Sequence, residues 1–355
     1  MGGVRLLVGW LTAVAVAAPA AAPYPVVRPG ITLRFPADHG AHPRFRTEWW
    51  YVTGWLRTAS GDDLGFQVTF FRTRPPVDSS NPSRFAAAQV LFAHAALSDA
   101  RTGKLLHGER AARQGFGLAN ARVGDADVAI RDWRLKRAAD GRWATRVTAD
   151  GFALALAFKP SQPPLRQGQA GYSRKGPRPE EASYYYSIPH LRVTGSIRRR
   201  GRVEAVTGEA WLDREWSSKF LAPTAQGWDW TGLNFADGSA LMAFRIRRKG
   251  GGTVWAGGSY RDRSGQVSVL GPRDVRFRPL ATWRSPATGA VYPVMQEITI
   301  RIGTRMARWR LRPMFAAQEL DARRSGLPVY WEGAVSTRGG RGYLELTGYD
   351  RALQM

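Results

Sequence analysis

The chain has 355 residues, 44% of them hydrophobic, enough for about two domains and too apolar for a disordered protein. It has no cysteine, which excludes disulfides, thiol catalysis, thiolate metal sites and a lipidated N-terminal cysteine. Its 52 basic residues against 28 acidic ones give a formal net charge of +24. These are mostly arginines spread along the chain, so no nucleic-acid partner is expected, and peripheral contact with an anionic membrane surface stays open.

Residues 1–22 differ in character from the rest of the chain. Arg5 supplies a positive start, Leu6 to Ala18 an apolar core too short to span a bilayer, and Ala18-Pro19-Ala20 a small-residue cleavage pattern. This predicts a signal peptide over 1–22, cut between Ala20 and Ala22, and a periplasmic or secreted mature chain.

From there period-2 alternation prevails. It predicts strands at Glu48 to Leu56, Leu64 to Phe71, Val90 to Leu97 and Phe152 to Phe158. Ala86 to Ala96 is alanine-rich, but the alternation of Val90, Phe92 and His94 reads as strand. Ser161 to Glu181, rich in proline, glycine, glutamine and charge, reads as a long loop of the lid, binding-loop or linker kind. Arg198-Arg199-Arg200-Gly201-Arg202 reads as a solvated hairpin turn. Further strands are expected at Val203 to Leu212, Ala240 to Arg247, Glu297 to Ile302, Arg308 to Leu311 and Gly342 to Tyr349. No window holds a long amphipathic helix. The pattern is all-β, a sandwich or up-and-down barrel. A boundary near Ile188 to Ile197 divides it into domains 23–190 and 191–355. Trp49 to Gly54 weakly echoes Leu344 to Tyr349.

The densest chemistry lies in Trp211-Leu212-Asp213-Arg214-Glu215-Trp216 and in Gly227-Trp228-Asp229-Trp230. Strands are depleted in acids, and Asp213 and Glu215, two apart, share a face. In an apolar interior their pKa values would rise, as acid catalysis needs; at a strand end they would simply pair with Arg214. Trp211, Trp216, Trp228 and Trp230 suit an aromatic pocket that stabilises a cation, or a packed core. Asp229 or Glu215 could orient water or act as base. Tyr185 and His190 complete the candidate ligand-binding set.

Glu48 is expected in an ion pair with Arg44 or Arg46. His39 and His42 lack a third ligand at useful spacing, so no metal site is expected, and His94 reads as a core histidine. No nucleophile elbow, phosphate loop or dinucleotide fingerprint appears, and no cofactor is expected.

Several segments together resemble the lipocalin-like family of AttH-type secreted proteins and carotenoid 1,2-hydratases. They are Glu48-Trp49-Trp50-Tyr51-Val52-Thr53-Gly54, Tyr184-Tyr185-Tyr186-Ser187, Gly208 to Trp216, Gly227 to Trp230, Trp283-Arg284-Ser285-Pro286, Gln318-Glu319-Leu320 and Tyr330 to Val335. They run in order over nearly the whole mature chain, and the AttH branch looks closer. One departure is Gln296, following Tyr292-Pro293, where the AttH-like pattern carries a tryptophan. The resemblance implies two packed lipocalin-like β-barrel or half-barrel domains and a site for a lipophilic ligand: polyene, terpenoid or lipid. It also implies that Asp213 is the acid in hydratase members. Two functions are then expected as alternatives. One is a hydro-lyase adding water to an alkene; the other is a carrier presenting a hydrophobic molecule to a membrane export system.

Overall fold

The computed structural model describes residues 23–76, 83, 85–323 and 328–353; the expected signal peptide, residues 1–22, lies outside them. Strands dominate, as the alternation predicts. The first sheet begins with the meander β1 (Thr47–Thr58), β2 (Asp63–Thr73), β3 (Val90–Asp99) and β4 (Lys104–Arg113). Shorter strands come next: β5 (Ala119–Ala121), β6 (Asp127–Ile130), β7 (Trp133–Arg137), β8 (Trp143–Ala149) and β9 (Phe152–Pro160). The stretch read as a loop carries β10 (Leu165–Arg166) and β11 (Tyr172–Arg174), and two long strands, β12 (Ala182–Arg199) and β13 (Arg202–Lys219), complete the sheet.

Its order is β4-β3-β2-β1-β13-β12-β9-β8-β7-β6-β5, all antiparallel, and the two ends curl together where β4 meets β6 and β8. Near-closure hides most of the strand edges that would otherwise template aggregation. Trp50, Val52, Phe66, Phe70, Leu91, Trp133, Trp143 and Leu212 fill the barrel thus formed.

The second sheet contains β14 (Ala225–Phe235), β15 (Ala240–Arg248), β16 (Thr253–Arg261), β17 (Val267–Leu270) and β18 (Val275–Arg284). It continues with β19 (Val291–Ile302), β20 (Arg305–Pro313), β21 (Glu319–Asp321), β22 (Val329–Thr337) and β23 (Gly340–Thr347). The order is β17-β16-β15-β14-β23-β22-β20-β19-β18. Trp331, Leu344, Leu346, Ile298 and Ile300 fill its own core. The architecture is two packed lipocalin-like β-domains.

The passage between sheets falls at Phe220 to Thr224, not at 190/191. β12 runs through that point, and β1 pairs with β13 along the whole length of β1. What marks Pro189-His190 is a bulge, where the β12–β13 register shifts between Ile188 and Leu191. The two segments that echo each other in sequence lie on β1 and β23, which touch across the domain junction; Trp55 Nε1 donates to the Gly342 carbonyl at 3.0 Å. Approach there is close. A Cβ on Gly65 would stand 2.7 Å from Ala334 Cβ and from the Tyr343 hydroxyl, so only glycine fits.

Candidate functional site

Strands at the junction are buried on both faces, and alternation sorts their side chains between two environments. Leu212, Arg214 and Trp216 of β13 enter the first barrel, whereas Trp211, Asp213 and Glu215 face the second sheet. Register brings partners to that same face. Trp49 and Tyr51 of β1 stand opposite Glu215 and Asp213, and Tyr185 and Ser187 of β12 stand opposite the same two acids. Trp228 and Trp230 of β14, Phe244 and Ile246 of β15, Tyr330 and Glu332 of β22 and Glu345 of β23 close the other side. The result is an aromatic cavity of about 90 Å³ between the domains. That is less than the ~150 Å³ of an apolar cavity that admits benzene. A small end group therefore fits within it, and a whole polyene does not.

Asp213 is held by neutral donors. The Tyr185 hydroxyl donates to Oδ2 at 2.5 Å, and the Ser187 hydroxyl and Trp211 Nε1 donate to Oδ1 at 2.5 and 2.6 Å. These donors are themselves oriented, because Gln167 Nε2 donates to Ser187 at 2.7 Å and Trp230 Nε1 to the Tyr185 oxygen at 3.0 Å. Among the described residues no cation is ion-paired with the Asp213 carboxyl; Lys175 feels its charge but pairs with Glu215. Burial pushes it up to about 7, against the pull of its three hydrogen bonds.

Glu215 is different. Lys175 Nζ lies 3.0 Å from its Oε1, and the Ser183 hydroxyl donates to the same oxygen. Lys175 comes from the long segment before β12 and reaches in over the rings of Phe244, Tyr185 and Phe220, at 4.2, 4.6 and 5.5 Å. Burial dominates for both members, raising Glu215 and lowering Lys175 toward their neutral forms. Nothing in the sequence singles out Lys175.

Other expected site residues lie elsewhere. Trp216 stacks on His42 inside the first barrel, ring centroids 3.8 Å apart and planes 6° from parallel. Asp229 points away from Trp228 and Trp230, and Arg245 (2.7 Å), Arg247 (2.9 Å) and the Tyr349 hydroxyl (2.9 Å) hold it. His190, at φ 53° in the bulge, bonds Glu209 at 2.6 Å and the Ser239 carbonyl at 2.9 Å. Trp211 supports Asp213 from behind, packed on Gly232, where a Cβ would come within 3.0 Å of its ring.

Glu48 is buried and ion-paired, but with Arg72 (2.5 Å) and Arg214, not Arg44 or Arg46. His42 joins that network, bonding Glu48 at 3.3 Å and Asp38 at 3.1 Å, and His39 bonds the Tyr186 hydroxyl at 2.6 Å. His94 is a buried histidine, its Nδ1 2.6 Å from the Tyr330 hydroxyl. Gln296 is buried on β19 and does not line the cavity.

Glu332 and Glu345 line the cavity and were not expected there. In sequence Glu345 is an acid between two leucines, which on a strand reads as solvent-facing. Only the packing of the other domain turns that face inward.

The AttH-like family matches this chain over residues 26–349. The chain belongs to the AttH-like family. A solved structure of an AttH candidate from Nitrosomonas europaea is 51% identical, with a TM-score of 0.84, covering 92% of this chain and 100% of that one. Kievitone hydratase from Nectria haematococca shares the fold at 14% identity, TM-score 0.67, covering 94% of this chain and 98% of that one. CghA, solved with Sch210972, shares it at 15% identity, TM-score 0.55, covering 86% and 89%. Among curated protein sequences none matches significantly.

Proposed function

We propose that this AttH-like chain binds the unsaturated end of a lipophilic molecule in the interdomain cavity and adds water across its double bond by acid catalysis. One observation carries the reading: the Asp213 carboxyl is buried among aromatic rings, held by neutral donors, and lies near 7. A general acid is most effective when its pKa lies near the working pH.

Two hydrogen-bonding states arise from the geometry. With Asp213 ionised, the Tyr185 hydroxyl donates a hydrogen bond to Oδ2. With Asp213 protonated, the carboxyl can donate to the phenol oxygen, freeing the phenol proton to turn toward the cavity. Proton transfer to one alkene carbon leaves a carbocation on the other. The faces of Tyr185, Trp230 and Phe244 would each stabilise it by about 0.5–2 kcal/mol. Water then attacks the cation and loses a proton to the Glu215–Lys175 pair, whose carboxylate or neutral amine accepts it. The product is an alcohol. The hydratase among the fold relatives supports this reading only at the level of fold, and the segment 1–22 supports an exported chain. A carrier, handing its ligand to a membrane export system, would use the same cavity without turnover.

The experiment is incubation with a prenylated phenol in water enriched in heavy oxygen, followed by mass spectrometry. Wild type should yield the alcohol with heavy oxygen incorporated. Asp213→Asn should bind the phenol comparably and lose about 10²–10⁴-fold in rate. Binding by wild type with no incorporation would assign the cavity to a carrier.

A further inference from the structure

The proposed hydration leaves two carboxyls of the cavity unused. Glu332 and Glu345 stand directly opposite each other in the β22–β23 ladder, and both line the cavity. Side chains so placed have Cβ atoms about 4.5–5.5 Å apart, close enough for two charges to repel strongly in an apolar site. The groups that face them are Tyr51 from β1, Tyr330 from β22, Trp228 from β14, and Asp213 and Glu215 from β13. None is a cation among the described residues, and Lys175 is engaged by Glu215.

A second, separate observation is a set of buried polar atoms without partners. The Tyr51 hydroxyl and the Glu332 carboxyl face and influence each other, but neither the hydroxyl nor Glu332 Oε1 has a partner in good hydrogen-bond geometry, although the two residues are only 5% and 3% exposed. The Gln67 side-chain oxygen and His94 Nε2, on the adjacent strands β2 and β3, likewise lack a partner in good hydrogen-bond geometry. Each such atom costs about 1–3 kcal/mol, and folded proteins leave few of them. Tyr51 and Glu332 both border the cavity, so whatever enters meets them first.

We propose that Glu332, Glu345 and Tyr51 form a second subsite that takes an oxygen atom of the ligand, hydroxyl or carbonyl, with one proton held between the two carboxyls. This deepens the reading of the cavity as a ligand site and rests on it. Burial first, then the charge on Glu345, raises Glu332; burial raises Glu345 against the pull of Trp228. With one proton the pair both donates and accepts, so it serves a carbonyl as well as an alcohol. The ligand class is accordingly an oxygenated isoprenoid or phenol, not a bare hydrocarbon.

The test uses geraniol and its deoxygenated hydrocarbon, 2,6-dimethylocta-2,6-diene, with quenching of tryptophan fluorescence as the binding readout. Infrared spectroscopy tracks the carbonyl stretch of protonated carboxyls. In wild type geraniol should bind about tenfold tighter than the hydrocarbon, the worth of one hydrogen bond to a charged partner. Glu332→Gln and Glu345→Gln should each erase most of that preference. A protonated-carboxyl band should persist near neutral pH in Asp213→Asn, move when geraniol binds, and vanish when Glu332→Gln is added to that variant. Equal binding of the two probes by wild type would overturn the subsite and leave the cavity standing. Binding of neither probe would remove the cavity reading and the subsite with it. Since the probe comparison and the band are read in proteins that keep both glutamates, a variant that fails to fold leaves the proposal decidable.

Discussion

Replacing Asp213 with asparagine keeps the size of the side chain and removes its ionisation. In the folded protein burial places this carboxyl at about 7, against an ordinary 3.8. The difference is about 3 units, and at 1.36 kcal/mol per unit it amounts to about 4 kcal/mol. Between about pH 4 and pH 7 the unfolded wild-type chain has released this proton while the folded chain keeps it. The unfolded state then binds fewer protons, so wild-type stability falls as pH rises through that window. Asparagine titrates in neither state. The variant should therefore gain on wild type by up to about 4 kcal/mol across the window, with a constant difference below and above it. Urea denaturation of both proteins at closely spaced pH values measures this directly. The absolute offset is set by how the amide meets three donors, but the slope depends on ionisation alone. A difference that stays flat from acid to neutral pH would mean that the hydrogen bonds already hold Asp213 as a carboxylate. Its role as proton donor would then be lost.

Other outcomes rest on the same contacts. Arg72→Met leaves Glu48 buried with one cation fewer and should cost about 3–5 kcal/mol in chemical denaturation. Burial alone would raise the Glu48 carboxyl, but Arg214 and Arg72 overcome it and hold the group well below its ordinary 4.5. Its stabilisation is thus present above that pH and lost on acidification, and Glu48→Gln should flatten the acid limb of the stability profile. Asp229→Asn leaves Arg245 and Arg247 underpaired and should destabilise by a similar amount, about 3 kcal/mol. Quenching of tryptophan fluorescence by geraniol should not change in that variant. Trp230→Ala, which opens the cavity wall, should weaken the quenching. Trp216→Ala should leave it intact and lower stability by about 3–5 kcal/mol, as expected for a large ring lost from a barrel core.

The strands and the all-β class were legible because alternation is a local property, written residue by residue. The site was legible only in part, since its strands are buried on both faces and alternation cannot say which face meets a ligand. Parity alone does carry some of the answer. Trp211, Asp213 and Glu215 share a face that excludes Trp216, and Trp228 and Trp230 share one that excludes Asp229, so two expected site residues were separable from the start. What parity cannot supply is register between distant strands. Tyr51 meets Asp213 across 162 positions of chain, and Lys175 arrives from a segment with no period at all. The domain boundary was misplaced for a related reason: Pro189-His190 looks like a break, yet in the fold it is a bulge within a strand that continues to Arg199. Glu332 and Glu345 make the limit plain. Each taken alone is an unremarkable strand acid, and they become a pair only through the hairpin closed at Arg338-Gly339. That pair meets Asp213 only because the second sheet packs against the first. The chemistry of this cavity is thus a property of the junction, where acids and rings that the sequence marks meet Lys175, Glu332 and Glu345, which neither half of the chain marks as functional by itself.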